Sequence, residues 1–280
     1  MRKSIVGVLA IAAILGYGAY QKQAKSPDIN ASQPRSGYVK HVKRHFNKPK
    51  FNINYGDKLK KTKFVAGKET AKQKQFAKPL KFDKKAKASQ MHMLPLDKYK
   101  RAQGSHIQLD KWQLPKRKRS PYLTVRPSGW HNYKYYYDGK TGWLFNRGHL
   151  VGYQFCGLDQ DIRNMITQTA YVNQGSLKGM DDNNSKGQLF YENRLAYWIK
   201  SHPQDKLDYA VIPLYHGKEL VPRQIKFYFV GFNKHGKKIR VNDIDGLTRY
   251  KGKEGYLTLN NISPNAVIDY KTGRAQIMKG

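Results

Sequence analysis

A break in composition near Leu94 constrains this chain more than any other feature. Between residues 21 and 90 stand twenty Lys and Arg against four acids (Asp28, Asp57, Glu69, Asp83), with few aliphatics and no sustained helical or strand period. Such a segment has too little apolar surface to offset the entropy of ordering it. Residues 23–93 therefore read as a disordered Lys-rich linker, and residues 94–280 must supply the folded domain. That domain has no disulfide framework to lean on, because Cys156 is the only cysteine. The same count excludes a Cys-rich zinc or iron–sulfur site. A lone thiol among apolar neighbours reads as inert core rather than as a nucleophile paired with a histidine.

The first residues, MRKSIVGVLAIAAILGYGAYQKQ, place Arg2 and Lys3 before an apolar run from Ile5 to about Tyr20. This is the pattern of an export signal, and the run is short for a membrane span. No A-x-A cleavage site follows, so residues 1–22 read as either a signal peptide or an N-terminal membrane anchor. In both cases the body of the protein is expected outside the cell, secreted or held at its surface. Net charge is +34. A chain of that charge attracts polyanions, so nucleic acid and the anions of a cell wall or membrane are the expected partners. The Lys-rich linker is suited to the second group, as a tether or as a plain spacer.

From Leu94 onward aromatic and branched residues become frequent and turn signals separate them. YKYYYDGKTGWLF reads as a hairpin, two aromatic strands around Asp138-Gly139 and Thr141-Gly142. LDYAVIPLY, QIKFYFVGF and KKIRVN read as antiparallel strands. Between them, QLFYENRLAYWIKSH has a helical period that puts Leu189, Glu192, Leu195, Ala196 and Ile199 on one face. A short helix with a hydroxyl cap is expected to begin near Thr167–Thr169. Strands flanking central helices indicate an α+β domain with a central antiparallel sheet.

Three groups of residues carry the chemistry. Glu192 stands on the apolar stripe of its helix, and acids are rarely buried without a partner or a metal. An internal salt bridge to an arginine explains it as well as a functional role does. NMITQTAYVNQG is rich in amides (Asn164, Gln168, Asn173, Gln174), and an amide oxygen can satisfy a buried donor or offer itself to a hard cation. FNRGHLVGYQF sets His149 after Arg147 and Gly148. Histidine is the natural base near neutral pH, and arginine binds phosphate bidentately. The glycine permits a sharp turn or a close approach to a ligand.

Taken together, NRGHLVGY, RNMITQTAYVNQG and FYEN resemble the DNA/RNA non-specific endonuclease family, most closely its bacterial DNA-entry nucleases. The likeness runs over residues 108–275 and includes RPSGW, LVPRQI and ISPNAVIDYKTG. It implies a ββα-metal (His–Me finger) core within the α+β fold. It implies a Mg²⁺-dependent endonuclease, with Mn²⁺ as a substitute metal, that hydrolyses DNA and also RNA through backbone phosphates and leaves 5′-phosphate ends. By position, His149 matches the general base, Asn173 the direct metal ligand, and Asn164 and Glu192 the residues that hold metal-bound waters or orient the phosphate. Arg147 matches the arginine of the motif. The family's usual Asp is Asn146 here, a supporting position that keeps an acceptor oxygen but loses the charge. Asp159, Asp161 or Glu192 are available to compensate. The family's arginine one turn after the helix glutamate is replaced by Ala196, with Arg194 two residues after Glu192. A second reading, from charge and aromatics alone, is a non-catalytic cationic protein that captures nucleic acid for uptake, and a third is a wall adhesin. Neither needs a base, so the His149/Asn173/Glu192 set separates them from the enzyme.

Overall fold

The computed structural model describes residues 64–278, apart from Pro121 and Asp138. The expectations for residues 1–22 and for the linker over 23–63 lie outside the described residues.

A seven-stranded antiparallel sheet forms the base of the domain. Its strands are β1 (Gln90–Met93), β2 (Ser105–Leu109), β7 (Lys206–Leu214), β8 (Gln224–Phe232), β9 (Lys238–Ile239), β10 (Arg249–Lys251) and β11 (Glu254–Asn260), in the order β1-β2-β7-β8-β11-β10 with β9 on β8. Three two-stranded ribbons complete the strands: β3 (Lys134–Tyr137) with β4 (Lys140–Trp143), β5 (Phe145–His149) with β6 (Met165–Thr169), and β12 (Ala266–Asp269) with β13 (Arg274–Ile277). The helices are α1 (Ala71–Phe76), the one-turn α2 (Tyr153–Cys156), α3 (Ala170–Gln174) and α4 (Gln188–Ser201). The class is α+β, and β5, β6 and the helices after them make a ββα unit beside the main sheet.

Alternation along β7 divides the core. Leu207, Tyr209 and Val211 face α4, where Tyr191, Leu195, Trp198 and Ile199 pack on them together with Phe227, Phe229, Leu257 and Leu259. Burying one Leu or Phe side chain contributes roughly 1.5–3 kcal/mol, so this layer is the main source of stability. Ala210, Ile212 and Leu214 point the other way, against Phe76 and Ala77. A separate small core lies under the ribbons, with Tyr135, Leu144, Phe145, Val221, Ile268 and Tyr270.

Those contacts of Phe76 and Ala77 correct the reading of residues 64–93 as disordered linker. Thr70 and Gln73 form a reciprocal capping box that starts α1, which is the T-x-x-Q signature of a helix N-terminus. Residues 68–82 then cover the outer face of the sheet. Gln73 Nε2 donates to the carbonyls of Gln103 (2.9 Å) and Pro213 (3.1 Å), and Lys226 meets Glu69 at 2.8 Å. Leu80 N donates to Asp208 Oδ2 at 3.0 Å, while Asp208 Oδ1 lies 2.6 Å from His106 Nε2. Asp208 and His106 are buried on that face. The arm orders because it completes the hydrogen bonds of buried polar groups that its own composition does not reveal. β1 extends the order to the sheet edge, paired with β2 from Gln90↔Gln108 to Met93↔Ser105.

Candidate active site

The β5–β6 ribbon pairs His149 with Met165, Gly148 with Ile166 and Asn146 with Gln168. Strand alternation turns Arg147 and His149 to one face and Asn146 and Gly148 to the other. Arg147 and His149 line an open cleft of about 300 Å³, together with Asn173, Glu192, Gln188 and Arg119. Four of the residues singled out from sequence thus converge from β5, α3 and α4. Asn146 does not line this cleft. It lines a neighbouring one of about 520 Å³ that shares Arg147, Asn173 and Arg119 with the first, and its Nδ2 donates to Gln174 Oε1 at 3.1 Å.

His149 is buried, 6% exposed. Its Nε2 lies 3.1 Å from the carbonyl oxygen of Asp159. A carbonyl only accepts, so Nε2 carries the proton and the neutral ring keeps its lone pair on Nδ1. Burial, and then the positive charge of Arg119, push the His149 pKa below its ordinary 6.5. Both effects disfavour the imidazolium. The ring is therefore neutral, with one nitrogen in base form, at neutral pH.

Asn173 sits in the last turn of α3, which Thr169 starts by accepting from Val172 N. The expected hydroxyl cap is present, although residues 167–169 belong to β6 and the helix begins at Ala170. Thr169 N is held by Asn261 Oδ1 at 2.9 Å, and Asn261 Nδ2 donates to the carbonyls of Thr167 and Pro222. This buried amide, immediately before the ISPN stretch, ties the ribbon to the segment that leads into β8 and so aims α3. The Asn173 side chain has no hydrogen-bond partner among the described residues, and Asn173 lines the cleft.

Glu192 faces the interior as its helical position predicted, but no arginine meets it. Its Oε1 accepts from Gly152 N (2.9 Å), Gln188 Nε2 (2.9 Å) and the Tyr209 hydroxyl (3.2 Å). Desolvation outweighs these donors and pushes the carboxyl pKa up from 4.5 to about 7. Gly152 is needed for the contact, since a Cβ there would fall 2.4 Å from Glu192 Oε2.

Gly148 answers to the same logic and not to a turn or a ligand. Its Cβ would meet Gln168, 2.0 Å from Oε1 and 2.7 Å from Cβ. Gln168 Nε2 donates to Gln188 Oε1 at 3.0 Å, and Gln188 Nε2 in turn donates to the His149 carbonyl at 2.9 Å. The chain of amides under the cleft therefore requires glycine at position 148. Gly148→Ala is expected to lower stability by about 1–3 kcal/mol through overpacking. A urea unfolding midpoint equal to that of the unaltered protein would contradict this.

Asn164 departs from its expected place. It is fully buried, its Oδ1 accepts from Val151 N (3.0 Å) and its Nδ2 donates to Val151 O (2.9 Å). Both amide atoms are spent on the backbone that follows His149, so Asn164 is a positioning residue outside the cleft. Arg194, two residues after Glu192, does not line this cleft: its guanidinium lies over the Phe190 ring and its Nη1 donates to the carbonyls of Asp182 and Phe190. Asp161 caps a 3-10 turn and pairs with Arg163. Asp159 gives its carbonyl to His149 and its carboxylate to Ser120 N. Neither stands in for the acid missing at Asn146. Cys156 is inert: burial pushes its thiol up to about 11, where almost no thiolate exists at neutral pH.

Sequence reasoning missed Arg119, Gln188 and Tyr209. Arg119 belongs to a basic run, Lys116 to Arg119, that looks like any solvated charge cluster until the loop lies beside His149. Gln188 and Tyr209 have no signal outside the tertiary contacts. Among the described residues, no three His, Cys, Asp or Glu side chains cluster closely enough to hold a metal. The cleft residues whose donors fit a hard cation are Asn173, with its amide oxygen, and Glu192, with its carboxyl. That set suits an ion that keeps most of its own water.

The family model for DNA/RNA non-specific endonucleases matches residues 82–229. Two solved structures are 35% identical to the chain. One, described as an extracellular nuclease, covers 71% of this chain and 98% of its own at a TM-score of 0.58. The other, an extracellular endonuclease, covers 75% and 95% at 0.59. NucA from Streptococcus agalactiae with magnesium ion bound shares the fold at 21% identity and a TM-score of 0.51, over 71% of this chain and 83% of that one. No curated protein matches the chain at a significant level.

Proposed function

The chain belongs to the DNA/RNA non-specific endonuclease family, and we propose that it hydrolyses backbone phosphodiesters of DNA and RNA outside the cell with His149 as general base. One observation carries this reading. The Nε2–H···O=C bond to Asp159 fixes the tautomer that leaves Nδ1 as a base, within a cleft whose other walls are arginine, an amide and a desolvated carboxyl. A binding protein needs none of that arrangement.

Each residue has a task that follows from its surroundings. His149 Nδ1 takes the proton of the attacking water as the oxygen approaches phosphorus. Arg147, with Nε held by the Val125 carbonyl at 2.6 Å, has its remaining donors available to a phosphate oxygen. Arg119 adds positive charge at the mouth. Asn173 would hold a divalent cation, Mg²⁺ or Mn²⁺, and Glu192 would orient waters of its shell. When bound, such a cation neutralises charge on the phosphate and assists departure of the leaving oxygen. Cleavage on the side that leaves a 5′-phosphate is the outcome this family likeness suggests. Asn146 lies one strand position away, on Gln174, and acts on α3 rather than on the reacting atoms. Backbone phosphates carry no sequence information, so the enzyme is non-specific. The basic segment before residue 64 would hold the enzyme to anionic wall or membrane, or concentrate substrate on it.

Full-length protein mixed with supercoiled plasmid tests the reading. With Mg²⁺ the plasmid is expected to be nicked and then degraded, and with EDTA it stays intact. The rate is expected to fall steeply as salt rises, since each lysine or arginine on a phosphate releases counterions. An intact plasmid in the Mg²⁺ arm would refute the enzyme reading and leave nucleic-acid capture.

A further inference from the structure

The second cleft has a composition that phosphate chemistry does not require. Trp143 on β4 and Trp130 form its aromatic wall, and Asn132, Asn146, Arg119 and Arg147 are its polar groups. Trp143 is 46% exposed, a large apolar ring left in water beside a cationic cleft. Cations already occupy the aromatic faces: Lys134 Nζ lies 5.0 Å from the Trp143 ring centre, and the Arg147 guanidinium lies 4.4 Å from that of Trp130. The amides offer atoms as well. Asn132 Oδ1 is used by Tyr133 N and Asn146 Nδ2 by Gln174, which leaves Asn132 Nδ2 and Asn146 Oδ1 without a partner among the described residues.

Flat rings, cations that can move onto phosphate, and one donor plus one acceptor match a nucleotide better than any other ligand class. A volume of about 520 Å³ is in the range of small-molecule sites and suits a base with its sugar. The cleft shares Arg147 and Asn173 with the His149 cleft, so its occupant adjoins the phosphate being cut. Resting on the nuclease reading above, we infer that Trp143 stacks an unpaired base next to the scissile phosphate, making this cleft a single-strand subsite. Every base has a stacking face, so the contact strengthens binding without reading sequence. A paired base inside a duplex reaches Trp143 only after unstacking, which costs a few kcal/mol. The subsite therefore favours single strands, frayed ends and loops.

Binding is measured in EDTA, so that no cleavage is needed, by fluorescence anisotropy of a labelled (dT)12 and a labelled 12-base-pair duplex with full-length protein. Trp143→Ala is expected to weaken binding of (dT)12 about tenfold, equal to about 1.4 kcal/mol, and binding of the duplex less than twofold. Trp143→Phe, which keeps a stacking face, is expected to recover most of the loss. Equal losses on both probes, no loss on (dT)12, or no recovery with Phe would each overturn the subsite. Failure of the nuclease reading shows separately, as an intact plasmid with Mg²⁺ whatever the anisotropy gives.

Discussion

His149→Ala is expected to lower kcat for plasmid cleavage by about 10²–10⁴-fold, the usual worth of a positioned general base. The (dT)12 dissociation constant in EDTA is expected to change less than threefold, because the ring is buried and gives little surface to substrate. The pH profile sharpens the test. Burial and Arg119 hold the His149 pKa below 6.5, so the active, neutral ring predominates at neutral pH and is lost on acidification. The His149 limb of the wild-type profile is expected below pH 6.5, beneath the limb that the Glu192 carboxyl adds near 7, and His149→Ala is expected to lack that lower limb. A variant that cuts as fast as wild type, or that retains the limb, would remove His149 from the reaction. Arg119→Gln should move the limb upward, towards the value of a histidine free of that charge.

Glu192→Gln is expected to stabilise the metal-free protein while disabling it. The carboxyl pKa is raised from 4.5 to about 7 in the fold, so between these values the native state binds more protons than the unfolded chain. Its contribution is fully present below pH 4.5 and is lost as pH rises through about 7. At pH 8 the buried carboxylate therefore costs on the order of 3 kcal/mol, and an isosteric amide removes that cost. Gln retains an acceptor for Gly152 N, Gln188 Nε2 and the Tyr209 hydroxyl. In EDTA at pH 8 its melting temperature is expected to exceed that of wild type by ~5–10 °C, and at pH 4.5 the two should coincide. Adding Mg²⁺ is expected to raise the wild-type melting temperature and leave the variant nearly unmoved, since the charge that favours a cation has gone. Activity should fall with it. Equal melting temperatures at pH 8 would show that the carboxylate is not under strain, and an unchanged Mg²⁺ response would place it away from the metal.

These two residues show what kind of information lay in the chain. The helical period named Glu192 as inward-facing, because i, i+3, i+4 spacing is local and survives any fold that buries the helix. Its partners came from Gly152, Gln188 and Tyr209, the first and last from other elements, and their donors rather than a salt bridge decide its protonation. His149, Arg147 and Asn173 were legible because residue type and order limit what chemistry they can do. Asn164 had the same amide and the same motif, yet its hydrogen bonds run to Val151 and not to the cleft. An amide's type cannot tell which acceptor it will meet. The N-terminal arm failed for the opposite reason: residues 64–93 lack a core of their own, and composition registers only that.

The sequence by itself determined the α+β class, the hairpin before Phe145, the helix over 188–201 and the residue types of the proposed catalytic set. Each rests on periodicity, turn chemistry or side-chain reactivity, which are properties of neighbours along the chain. Only the tertiary structure decided that Arg119 stands over His149, that Nε2 rather than Nδ1 holds the proton, that Gln168 excludes a side chain at Gly148, and that Asp208 and His106 recruit a lysine-rich arm to cover the sheet. These depend on burial and on contacts between distant segments, and desolvation acts on a group only after the fold has removed its water.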